Sequence, residues 1–168
     1  MTQRRQERNR RGAARAVAAA LLAVACATGF AAQETASATE QIVVSRSSGL
    51  AIGGYDPVAY FTEGKPLIGR EEFEASHRGA IWRFVNRGNR AALLADPEIY
   101  EPQFGGYDPV DVARGVPVPG LPTVWAIVEQ RLFLFASPVS HADFLANPQR
   151  YLGAARGSWP ALRDTLAR

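Results

Sequence analysis

Apolar and polar residues alternate in two short stretches of this chain, and each alternation is broken once by residues suited to a tight turn. FEASHRGAIWRFVN, residues 73–86, sets two β-favouring arms around Arg78-Gly79, and TVWAIVEQRLFLFA, residues 123–136, does the same around Glu129-Gln130. Both predict hairpins. Alternation puts Trp82 and Phe84 on one face, as a small core requires. After each hairpin the apolar spacing becomes helical. Ser137 is suited to cap a helix with Pro138 at its first position and Phe144 and Leu145 inside; Asn86 takes that place earlier, with Leu93 and Leu94 inside. Asp96-Pro97 and Asn147-Pro148 interrupt these helices, restart a tight turn and bring Tyr100 and Tyr151 back onto the body.

The two stretches belong to a longer correspondence. GGYDPV occurs at residues 53–58 and again at 105–110, LADPEIY ends at Tyr100, and LANPQRY ends at Tyr151. The offset is 52 residues at the start and 51 later, so one residue is lost between the copies. The pattern predicts a tandem duplication, with one unit over 53–104 and a second, with a C-terminal tail, over 105–168. A unit of this size has little core of its own and gains by packing on its copy. The expected fold is α+β: two tandem units, each a β-hairpin plus a short helix, packed as one small domain.

Composition matters mainly for the N-terminal segment. The chain has 168 residues and a formal charge of +3, but residues 1–38 hold six arginines against Glu7 and Glu34, leaving 13 basic and 14 acidic residues elsewhere. The high pI therefore gives no argument for nucleic acid. The basic stretch to Arg15, the apolar run over 16–32 and the small residues beyond it read as a signal peptide ending by residue 38, with cleavage after Ala31 or in Ala36-Ser37-Ala38. A membrane anchor is the alternative, but the run is short and Ala-rich for a bilayer span. Arg4-Arg5 and Arg10-Arg11 permit twin-arginine export beside the Sec route. The protein is expected to be periplasmic or secreted, with membrane contact only through this signal. The sole cysteine, Cys26, lies within it in AVAC, a poor lipobox, so lipidation is not expected. A mature chain without cysteine has no disulfide, thiolate metal site or thiol nucleophile. Residues 39–52, polar and small, are expected to be a tether.

Asp56-Pro57-Val58, then Phe84-Val85-Asn86 with Asn89, then Asp96-Pro97 and Tyr100 resemble the frame of the YHS domain, which is related to TRASH-type metal-binding modules. The chain is similar to the secreted stand-alone YHS-domain proteins, which open with a segment such as GYDPVAYF, here Gly54 to Phe61, and carry a second motif beginning GGY. The resemblance covers roughly residues 50–162 and implies a binding role in metal or small-ligand handling. It places the family's thiolates on Ala59, Val85 and Asn89, and on Asp111, Ala136 and Ser140. Only Asp111 of these is an ordinary metal ligand, so the thiolate site is expected to be lost.

Tyr55, Asp56, Tyr107 and Asp108 are the candidates for a shared ligand site, because packed copies bring equivalent motifs near each other. Turn chemistry alone also accounts for them: Gly-Gly gives access to positive φ, Asp-Pro sets a turn and Tyr can plug a core. His77 and His141 are the two histidines; His77, with Asp111 or Asp108, is the candidate for a metal held without thiolates. Trp82, Trp125 and Trp159 with Phe84, Phe133 and Phe135 supply an aromatic core or, second, an apolar ligand groove. Glu71, Glu72 and Glu74 suit a solvated face. No Ser/His/Asp spacing, phosphate-binding glycine loop or metal triad is present, so the expectation is a non-catalytic binding protein. The cofactor is open, with a non-thiolate metal ion as one option; the partner is a small ligand or, for a purely structural or interaction module, an envelope protein.

Overall fold

In a computed structural model that describes residues 41–166, two antiparallel hairpins and six helices make an α+β body. The first hairpin pairs β1 (Arg70–His77) with β2 (Ala80–Phe84), and the second pairs β3 (Leu121–Val128) with β4 (Arg131–Phe135). Their registers match residue for residue at an offset of 51: Arg70 faces Phe84 and Glu74 faces Arg83, as Leu121 faces Phe135 and Trp125 faces Leu134. Both ladders carry the same irregularity between those pairs. The turns also correspond, with left-handed φ at Arg78 and Gly79 in one and at Glu129 and Gln130 in the other.

The helices are α1 (Ala59–Thr62), α2 (Arg87–Ala95), α3 (Pro97–Tyr100), α4 (Pro109–Val112), α5 (Pro138–Ala146) and α6 (Pro148–Asp164). The two expected caps form: Asn86 accepts from the Asn89 backbone N–H and Ser137 from that of Ser140; Asn147, where a tight turn was expected, accepts from the Arg150 backbone N–H and caps a helix of 17 residues. Tyr100 and Tyr151 each stand three residues after their helix-starting proline; Tyr100 meets Phe61 edge-on, and Tyr151 stacks on Phe144.

A 3-10 turn precedes α1 (Ile52–Gly54) and another precedes α4 (Gln103–Gly106), and all four glycines of the repeated motif have positive φ. Gly105 is held by space as well: a Cβ there would lie 1.9 Å from the Gln41 carbonyl oxygen. That closeness reflects a strand-like contact, in which the Val43 N–H donates to the Gly105 carbonyl at 2.8 Å and the Ile52 N–H donates to the Val43 carbonyl at 2.8 Å. Residues 41–52 are therefore no tether. Ile42, Leu50, Ala51 and Ile52 are buried, and Ile42, Ala51 and Ile52 belong to the first core.

The apolar residues form two cores. One gathers Ile52, Val58, Tyr60, Trp82, Phe84 and Leu93; the other gathers Tyr107, Val112, Phe133, Phe135, Phe144 and Leu152. Strand β4 belongs to both: Leu132 and Leu134 face the first core, Phe133 and Phe135 the second. A strand covered on both faces reads as a continuous apolar run, which explains RLFLF where β2 has AIWRF with Ile81 exposed. One expectation fails on each long-capped helix. Leu93 and Phe144 are fully buried, but Leu94 and Leu145, their next neighbours, are exposed, since a step of one residue turns a side chain about 100° around a helix. The expected signal peptide and Cys26 lie outside the described residues. Among the described residues no helix is long and apolar enough to cross a membrane.

Candidate functional site

The two repeated aspartates are completely enclosed. Asp56 accepts from the backbone N–H groups of Val58, Ala59 and Val85 and from the Asn89 amide, at 2.7–3.3 Å. Asp108 accepts from the backbone N–H groups of Val110 and Ala136 at 2.8 Å and from the Ser140 hydroxyl at 2.5 Å. Each carboxylate thus ties the start of a short helix to the end of a hairpin and the first turn of the next helix. The two carboxylates do not share a site, because every donor comes from the same half as its acceptor. Their neighbours are likewise structural: Tyr55 packs against the first core and bridges to Ile68, and Tyr107 is buried in the second and bridges to Pro119.

These hydrogen bonds also decide what the positions matched to the family's thiolates can do. Val85 and Ala136 offer backbone N–H groups, and Asn89 and Ser140 offer donors already turned toward an aspartate. Asp111 is paired with Arg114. This donor set does not fit a soft metal ion. No group of three His, Cys, Asp or Glu side chains suited to a metal occurs among the described residues.

His77 has a different partner. Its Nε2 lies 2.5 Å from Oε1 of Glu101, whose other oxygen accepts from the Arg78 guanidinium at 2.8 Å. Glu101 is buried. In the second half the residues at the same offset are Val128 for His77 and Leu152 for Glu101, and Leu152 is a buried core residue. One half therefore holds a buried carboxylate, with a part-buried histidine and a largely exposed arginine against it, where the other holds apolar packing. Replacing a buried ion pair by apolar residues of similar volume is often neutral or stabilising, so stability alone does not account for this cluster.

The cluster forms one wall of an open groove of about 660 Å³, a size suited to a small molecule. Arg78 enters it from the first hairpin turn, Arg131 from the start of β4, and Arg156 and Arg163 from α6. Glu98 and Glu101 line it from α3 and the residue after it, and Phe104 and Trp159 supply aromatic surface. Arg131 donates to the Glu98 carbonyl oxygen, and Arg163 lies 3.7 Å from the Asp164 carboxylate. Arg156 has no ion pair among the described residues. Of the residues singled out from sequence, Trp159 lines the groove, as do Arg78 and Gly105, which were read only as turn residues, and His77 stands behind its wall through Glu101. The four arginines were missed as groove residues. The legible part of the signal was Arg156, Trp159 and Arg163 at spacings of three and four, which share a face once residues 148–164 are helical.

Comparison with family models, with curated proteins and with solved structures finds no match to this chain.

Proposed function

We propose that this chain is an exported, non-catalytic binding protein of the cell envelope, a pair of degenerate YHS-type units whose task is to take up a small organic anion. The observation that carries this reading is the groove lined by four arginines from three separate elements beside the half-buried Trp159. Guanidinium groups present a planar set of donors matched to carboxylate and phosphoryl oxygens. The matched hairpin registers, the matched aspartate clamps and the matched glycine turns support the tandem-unit reading. The enclosed aspartates argue against a metal-handling role at the positions of the family's thiolates, and the groove takes its place as the binding region.

Thermal unfolding of the purified exported protein with phosphate, citrate and benzoate, and separately with Cu(II), Zn(II) and haem, tests the proposal. A saturable stabilisation by an anion is expected, about 2.7 kcal/mol at a hundredfold excess over Kd. It is lost in the Arg156→Ala, Arg163→Ala double variant, whose exposed side chains leave the fold intact. Stabilisation by a metal or haem alone, unaffected by these substitutions, would overturn it. An inert response to every small molecule would move the search to protein partners.

A further inference from the structure

We infer that the ligand of the groove carries an anionic group on a flat apolar body, with phosphate esters of ring compounds as the fitting class; this rests on the groove being the binding site. The arginines are of two kinds. Arg78 and Arg131 are held by acceptors of residues 98–101, the Glu101 carboxylate and the Glu98 carbonyl. Arg156 and Arg163 come from a single helix face, seven residues and about 10 Å of rise apart, and only the second has a carboxylate nearby.

Trp159 stands between that pair on the same face. The residue is half-buried, its ring meeting Phe104 at 5.8 Å and Tyr107 at 6.0 Å between centroids, and it lines the groove. An anion bridging Arg156 and Arg163 thereby sits beside an indole fixed from behind by two aromatic neighbours. A flat ring attached to that anion meets the indole without further rearrangement. Charge sets the anion. Four guanidiniums share the groove with the carboxylates of Glu98 and Glu101, and Asp164 stands 3.7 Å from Arg163, which leaves one positive charge, that of Arg156, for an anionic group to balance.

Titration of the exported protein with phenyl phosphate, inorganic phosphate and neutral phenyl glucoside, followed by calorimetry and tryptophan fluorescence, tests the inference. Phenyl phosphate is expected to bind about tenfold more tightly than phosphate, the gain one stacked ring supplies. The glucoside is expected not to bind. Arg156→Ala and Arg163→Ala should weaken both anions, and Trp159→Leu should abolish the preference for the ring. Because Trp159 also packs against Phe104 and Tyr107, Trp159→Phe serves as the milder variant, keeping a ring while removing the ligand-dependent fluorescence change. Equal affinity for the two phosphates, binding of the glucoside, or a fluorescence response that survives Trp159→Phe would overturn the inference while anion binding itself stood. Failure of any anion to bind would overturn both.

Discussion

Glu101 and Leu152 follow Tyr100 and Tyr151 at the same step, yet one is a buried carboxylate and the other a core leucine. The comparison between halves supplies its own control experiment. Replacing His77 and Glu101 together by Val and Leu installs the residues that the other half already uses. The desolvation penalty of the cluster disappears with its attraction, so the double variant is expected to be as stable as the wild type or up to about 2 kcal/mol more stable. His77→Val alone takes away the imidazole nitrogen 2.5 Å from Glu101 Oε1, an oxygen with no other partner among the described residues, and is expected to cost about 1–3 kcal/mol. Urea unfolding of the two variants separates these cases. A large loss in the double variant would show that the cluster is there for the fold. The matched aspartates teach the reverse lesson at the same scale. Sequence reading could see that Asp56 and Asp108 were repeated, and could offer a turn or a ligand site; only the positions of Val85, Asn89, Ala136 and Ser140 decide for the clamp.

The hairpins, the caps Asn86 and Ser137 and the helix starting at Pro138 were legible because each is set by residues within a few positions of one another, whereas Asn147-Pro148, expected to start one tight turn, opens a helix of 17 residues. What was not legible is which face of an element meets which neighbour. Strand β4 packs on both cores, and its continuous apolar run marks it as covered on both faces without saying which elements cover it. The same gap accounts for Leu94 and Leu145, placed inside by composition and outside by helix geometry. It accounts also for residues 41–52, of which Ile42, Ala51 and Ile52 pack into the first core while Val43 packs against the second and hydrogen-bonds to Gly105. The turn of the second hairpin holds a residual conflict. Gln130 adopts φ 57° at a position where the first hairpin has Gly79. A left-handed conformation costs a residue with a side chain about 1–2 kcal/mol, part of which glycine gives back as unfolded-chain entropy. Gln130→Gly is therefore expected to stabilise the protein by about 0.5–1 kcal/mol, read as a higher urea midpoint at unchanged slope. A lower midpoint would mean that the glutamine side chain contributes a contact outweighing the strain.

Across the whole molecule, the halves are joined by few polar contacts, and the groove lies where non-repeated sequence meets repeated sequence. Helix α6 runs on past Tyr151 for another thirteen residues, whereas α3 ends at Tyr100, and Arg156, Trp159 and Arg163 all lie in that extension. A reading built on the repeat was bound to look at the repeated motif first and to miss a site made by what the second copy adds. One of the contacts between halves has a titratable donor. The Tyr60 hydroxyl, on the first-half helix α1, donates to the Pro122 carbonyl of β3 at 2.8 Å. Burial chiefly, then Tyr55 and Asp56 nearby, raise the Tyr60 phenol above its ordinary range. The folded pKa thus exceeds the unfolded value of about 10, so the contribution is fully present below that pH and is lost as pH rises above it, because only the unfolded chain can release the proton. At pH 11 this amounts to about 1.4 kcal/mol from Tyr60. Tyr60→Phe forfeits the hydrogen bond, about 1 kcal/mol at pH 8, and with it the alkaline loss at this residue. Urea unfolding at a series of pH values should therefore give two curves that start apart and converge between pH 10 and 11. Curves that stay parallel would mean that the phenol ionises as readily in the folded protein as in the unfolded chain, and that the junction between the halves admits water at Tyr60.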